Sequence, residues 1–221
     1  MPYRGDVFAE GHYYHIYNRG AGKAPIFFQP DDYEHCLRLI KRHREQYGVC
    51  VVAYCLMPNH YHFCLRQEGE QALSRFMAII FNSYVQAVNR RRERAGTLFQ
   101  GRFRHAWIDR EEYLAHLCRY IHLNPVKANL ASRPGEWPYS NYPEWVGARS
   151  GTLKDQGLIS ALFPTAAAYE RFVADGRDEE KSLQHIRPYV WDWPPGGRRR
   201  TRPPGGRNLR EVSVDRRCRA D

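Results

Sequence analysis

The chain has 221 residues, 43% of them hydrophobic and 14% aromatic: enough apolar side chains for a packed core, and too many for wholesale disorder. Its formal net charge of +10 favours a polyanionic partner, nucleic acid before an anionic membrane surface. No apolar run approaches the roughly 18–20 residues of a membrane span, and the opening residues Met1 to Asp6 lack a signal-peptide core, so a cytoplasmic protein without a membrane partner is expected.

In chain order, residues 13–19 read as an aromatic-rich strand stopped by Gly20 and Gly22. Asp31 and Asp32 open a helix, with Tyr33, Cys36, Leu37 and Ile40 at helical spacing and Gly48 ending it. Residues 49–56 form an apolar, β-branched run fit for a buried strand. Pro58 and Asn59 then make a turn, and residues 60–65 a second strand, completing a hairpin. A long helix follows over about 72–94, its apolar positions Leu73, Phe76, Met77, Ile80, Tyr84 and Val88 recurring at three- and four-residue steps. Its last turn holds Arg90, Arg91, Arg92 and Arg94, which suits the negative pole of the helix dipole.

Residues 98–108 read as a further strand. Asp109 is expected to cap another helix, which runs towards Asn124 and is stopped by Pro125. This order predicts an α+β domain with an antiparallel sheet and helices packed on one face. Three segments are expected: a catalytic domain over 1–148, a helical appendage over 149–193 with helices near 158–163 and 166–173, and a Pro/Gly/Arg-rich, disordered tail over 194–221. None of the six cysteines forms a Cys-x-x-Cys pair, so they read as reduced core thiols.

The residues that carry chemistry begin at the hairpin turn. Side chains alternate faces along a strand, so His60, His62 and Cys64 point one way while Tyr61, Phe63 and Leu65 point into a core. Two imidazoles two residues apart on the more open face can grip one divalent ion from the same side. The same spacing also occurs on ordinary solvated sheet faces, so by itself it is a weak signal.

The segment Met57 to Leu65 closely resembles the His-hydrophobic-His motif of the IS200-like single-tyrosine (HUH) transposases. Arg119-Tyr120-Ile121-His122-Leu123-Asn124-Pro125-Val126-Lys127-Ala128 is similar to the tyrosine-bearing helix of that family, in particular the branch associated with repetitive extragenic palindromes (REP). Tyr14 to Gly20, Leu98 to Phe103 and Trp137 to Ser140 agree, so the likeness covers residues 12–146 in order. The resemblance implies a ferredoxin-like sheet with the histidines on its central strands. It implies a divalent metal, Mg2+ or Mn2+, held by His60 and His62, with Asn124 at the third ligand position. It implies Tyr120 as the nucleophile, forming a covalent 5′-phosphotyrosine on single-stranded or hairpin DNA and leaving a 3′-hydroxyl. Monomeric action and a homodimer with tyrosines acting in trans are both compatible with it.

Chemistry supports these roles. A phenol with a pKa near 10 is a poor nucleophile at neutral pH and needs a base or a cationic neighbourhood. Tyr120 and Asn124 are four residues apart and share a helix face, beside the inward stripe Leu114, Leu117, Cys118 and Ile121. His122 is an alternative ligand, but its two-residue step from Tyr120 turns it away. Arg102 and Arg104 flanking Phe103 read as a phosphate and base platform, with Arg19, Arg90 and Arg91 as further DNA contacts. The arginines at the long helix's end read equally well as a solvated terminus. Two other functions remain open: a non-catalytic DNA- or RNA-binding protein on this scaffold, and a replication-initiator or relaxase-type nickase.

Overall fold

The computed structural model describes residues 8–69, 73–153 and 155–175. Its elements are β1 (Tyr13–Arg19), α1 (Pro30–His43), β2 (Val49–Met57), β3 (His60–Gln67), α2 (Leu73–Arg91), β4 (Arg104–Ile108), α3 (Glu111–Lys127), α4 (Tyr142–Trp145), α5 (Gln156–Leu162) and α6 (Ala166–Asp175). The four strands form one antiparallel sheet in the order β2-β3-β1-β4, the βαββαβ arrangement of a ferredoxin-like fold. The histidine strand β3 is therefore central, as expected.

Each face of the sheet has its own core. One is built from Tyr14, Ile16, Tyr61, Phe63 and Leu65 of the sheet against Tyr33, Cys36 and Ile40 of α1 and Leu73, Phe76, Met77, Ile80, Tyr84 and Val88 of α2. That is the helix-covered face the sequence predicts. The opposite face is also covered: Ala53, Cys55, Met57, Cys64, Ala106 and Ile108 pack on Leu114, Leu117, Cys118, Tyr120 and Ile121 of α3. The histidine face is thus not the open one expected, because α3 carries an apolar stripe that must be buried somewhere.

A bulge at Val52 shifts the register of β2 against β3 between Val51 and Ala53. The extra residue reverses the alternation, since Val49 and Val51 belong to the α1–α2 core whereas Ala53, Cys55 and Met57 belong to the α3 core. The outer edge of β2 is closed by residues 139–141, with Leu56 N donating to Tyr139 O at 2.9 Å and Tyr54 N to Asn141 Oδ1 at 2.7 Å.

Several boundaries differ from the sequence reading. β4 begins only at Arg104, because residues 98–101 instead fasten to the end of β1: Ala21 N donates to Leu98 O, Gln100 N to Arg19 O, and the Asn18 amide to Gly101 O. Gly20 is required there, since a Cβ would lie 2.0 Å from Ala24 O. The helix cap is Arg110 rather than Asp109, and α3 passes through Pro125 instead of stopping at it. A proline's ring removes one N–H donor, tolerable one turn from a helix end, and the chain leaves through Asn129 at φ 54°.

Helices α5 and α6 fall where the appendage was expected, and Leu158, Ile159, Tyr169 and Val173 share one core with α3. Residues 176–193 of the expected appendage, and the 194–221 tail, lie outside the described residues. The five described cysteines, Cys36, Cys50, Cys55, Cys64 and Cys118, are all buried thiols. No helix among the described residues is long and apolar enough to cross a membrane.

Candidate active site

Strand registry lays three rows across the α3 face. Arg19, His60 and Met57 form the first, Arg104, Tyr17, His62 and Cys55 the second, and Ala106, His15, Cys64 and Ala53 the third. Above these rows α3 presents Tyr120, Asn124 and Lys127, spaced so that all three share one helical face. The Tyr120 ring stands edge-on to His62 at 5.4 Å and to His15 at 6.3 Å between centroids. It lies over the two central strands, not over a sheet edge, and Lys127 Nζ sits 4.5 Å from its centroid.

The hydrogen bonds around His60 fix where its proton is. The Asn59 amide donates to Lys23 O at 3.2 Å, so its Oδ1 is the atom facing His60 Nδ1 at 2.7 Å. Nδ1 therefore carries a hydrogen, and in the neutral ring the lone pair is on Nε2. That lone pair faces Asn124 Oδ1 at 3.3 Å, and the Asn124 amide is itself oriented by donating to Tyr120 O at 2.9 Å. Two facing lone pairs at this distance are the arrangement that a shared cation would satisfy.

His62 is only 2% exposed. Burial, then the nearby His60, His15 and Lys127, hold its imidazole well below the usual histidine range. It is neutral at pH 7 and keeps a ring lone pair. In their neutral form the two imidazoles, with the Asn124 amide oxygen, are a donor set that fits a divalent ion. Among the described residues no group of three or more His, Cys, Asp or Glu side chains is placed to hold a metal ion, so the third donor here is the Asn124 amide. The donor set adds no negative charge of its own.

The remaining predicted residues divide by layer. Arg19 lies beside His60 and Arg104 two strands from His62, both on the same face, and Arg19 Nε donates to Gln100 Oε1 at 2.6 Å. Arg102 is exposed just before β4. Phe103 does not join this face: it packs, partly buried, against the α1–α2 core. Arg90 and Arg91 end α2 in that other layer, where Arg91 pairs with the buried carboxylate of Asp32.

His122 is turned away, as expected. Its Nε2–H donates to Asn141 Oδ1 at 3.0 Å and its Nδ1 accepts from the Tyr169 hydroxyl at 2.6 Å. Burial pushes its pKa down to about 4, the Asn141 bond opposing the shift. Three residues of this surface escaped the sequence reading: His15, Tyr17 and Lys127. The signal for the first two was the alternation of His15, Tyr17 and Arg19, which puts all three on one face of β1.

A four-stranded ferredoxin-like sheet with two histidines on a central strand, and a tyrosine and an asparagine on a covering helix of the same chain, defines a single-tyrosine transposase scaffold. The family described as "Transposase IS200 like" matches residues 8–124, more than half of the chain, and the protein belongs to that family. Within it the similarity is to the REP-associated tyrosine transposases. A Haemophilus influenzae protein described as "Putative REP-associated tyrosine transposase" is 27% identical over 114 residues, spanning 47% of this chain and 65% of that relative. The solved structure of a REP-associated tyrosine transposase bound to a REP hairpin superposes with a TM-score of 0.57 at 16% identity, covering 71% of this chain and 98% of that one. At that identity the superposition speaks for the fold.

Proposed function

We propose that this protein cleaves and rejoins single-stranded or hairpin DNA, with Tyr120 as the nucleophile. The observation that carries the reading is the packing of the Tyr120 ring against His62, with Asn124 of the same helix beside His60, all within one chain. In cleavage, the Tyr120 oxygen gives up its proton and attacks a DNA phosphorus. A new P–O bond to tyrosine forms as the bond to the 3′-oxygen breaks, and that oxygen leaves as a 3′-hydroxyl by taking up a proton. The 5′-phosphotyrosine conserves the phosphodiester energy, so attack by a 3′-hydroxyl rejoins the strand without ATP.

The chain's own groups prepare this step. Lys127, with its ammonium over the Tyr120 ring, places a positive charge beside the attacking oxygen's ring. Arg19 on β1 and Arg104 on β4 share the histidine face, where they can neutralise phosphates near the scissile one. His60, His62 and Asn124 would hold Mg2+ or Mn2+, which when bound polarises a non-bridging phosphate oxygen. A REP-type hairpin is the substrate that the solved relative's partner suggests.

The test is incubation of the full chain with end-labelled hairpin DNA and Mg2+ or Mn2+, followed by denaturing electrophoresis. A protein–DNA adduct that survives denaturation, and is lost in His60→Ala and in His62→Ala, is the expected result. A chain that binds the hairpin but forms no adduct with either ion would instead be a binding module on this scaffold.

A further inference from the structure

In the third row across the sheet every residue but one is small and apolar: Ala106, Cys64 and Ala53 surround His15. His15 is completely buried. A dry imidazole in such a row must have its ring nitrogens matched. His15 does not pair straight across but diagonally, its Nε2 lying 2.9 Å from Nδ1 of His62, one step along the neighbouring strand. The two rings are nearly coplanar, with an interplanar angle of 22° and centroids 5.1 Å apart, so a hydrogen between the nitrogens lies close to both ring planes.

One hydrogen occupies that contact, and which ring owns it decides what His62 can do. If His15 donates, the His62 hydrogen moves to Nε2 and no ring nitrogen of His62 is left to bind an ion. If His62 donates, its Nε2 keeps a lone pair on the side of the ring away from His15. We propose that His15 is a positioning residue that accepts the Nδ1–H of His62 and thereby holds His62 in the Nε2 lone-pair tautomer. This rests on the metal-binding reading of His60 and His62, and it gives His62 the outer partner that ligating histidines ordinarily need. On the other histidine Asn59 Oδ1 plays the same part, accepting the Nδ1–H of His60 at 2.7 Å. Each imidazole of the pair would then have its ligating nitrogen fixed by a neighbour accepting at the other.

The experiment reads the tautomer directly. Two-bond proton–nitrogen correlation of the histidine rings is recorded on the full, metal-free chain, for the wild type, His15→Gln and His15→Phe. Mn2+ affinity is measured alongside by titration calorimetry. The wild type should show His62 protonated on Nδ1. His15→Gln, whose amide oxygen reaches the place of Nε2, should keep that state and bind Mn2+ within about threefold of wild type. His15→Phe should shift His62 towards Nε2–H and weaken Mn2+ by about 10–100-fold, the usual cost of losing an outer-shell partner. A wild-type His62 protonated on Nε2, or an unchanged tautomer in His15→Phe, would overturn the assignment. If His15→Phe fails to fold, the wild-type and His15→Gln spectra still decide. Nδ1-protonated His62 in a chain that takes up no Mn2+ would remove the metal reading while leaving His15's control of the tautomer standing.

Discussion

Replacing Asn141 with alanine should be among the most damaging substitutions in the chain, although the residue touches nothing reactive. Asn141 is fully buried. Its Oδ1 accepts from Tyr54 N at 2.7 Å and from His122 Nε2 at 3.0 Å, and its amide donates to Val52 O at 3.0 Å and Leu153 O at 3.1 Å. One side chain thus ties the edge of β2 to the tyrosine helix and to the segment leading into α5. Val52 O keeps a second donor, the Trp145 indole, at 3.0 Å. Alanine therefore strands three buried groups: the Tyr54 N–H, the His122 N–H and the Leu153 carbonyl. At about 1–3 kcal/mol for each of the three unsatisfied groups, the low end reflecting relaxation, the loss is roughly 3–9 kcal/mol. That is a large fraction of the ~5–15 kcal/mol that holds a domain together. Equilibrium urea unfolding at pH 7 reads it. A loss below about 1 kcal/mol would refute the claim that this network fixes α3 on the sheet.

Other consequences follow from the same structure. The His122 pKa of about 4 lies below the usual histidine value of 6.5, so the native state binds fewer protons between those pH values and stability falls as pH falls. His122 alone should take about 2–3 kcal/mol from wild type between pH 7 and pH 4.5, with His62 adding in the same direction; His122→Gln should flatten that slope in paired urea titrations. Lys127→Gln should slow adduct formation roughly tenfold, in line with the ~1 kcal/mol or more of a cation over an aromatic ring, and Lys127→Arg should retain most of the rate. Arg19→Ala and Arg104→Ala should each lower the slope of log affinity for single-stranded DNA against log salt by about 0.7. Arg91→Ala, whose guanidinium is paired with Asp32 in the other layer, should leave that slope unchanged while costing stability.

The sheet was legible because its signals are local. The aromatic richness of residues 13–19, the alternation in 60–65, the Pro58–Asn59 turn and the helical spacing from Leu73 to Val88 are each local signals. The bulge was not legible, since Val51-Val52-Ala53 reads as an unbroken apolar run whichever residue is extra. The stop at Pro125 failed for a related reason: the proline marks a lost N–H, but three more residues of helix are held by packing and by the bonds that close onto Asn124 and Val126. At the site, His60, His62, Tyr120 and Asn124 stood out through the two family motifs, and the structure brings them together. His15 and the Asn141–His122–Tyr169 chain did not stand out. Their partners are 47, 19 and 47 residues away, and only the folded registry places them.

In the proposed reaction Tyr120 becomes covalently joined to the 5′ side of a cleaved DNA strand. The most direct measurement is mass spectrometry of the tryptic digest after reaction with a hairpin oligonucleotide and Mn2+. Cleavage after Arg119 and Lys127 isolates Tyr120 in a short peptide whose only tyrosine it is. This peptide should carry the mass of the 5′-phosphorylated DNA fragment, and Tyr120→Phe should yield no adduct while still binding the hairpin. An adduct on any other tyrosine, or one that persists in Tyr120→Phe, would contradict it.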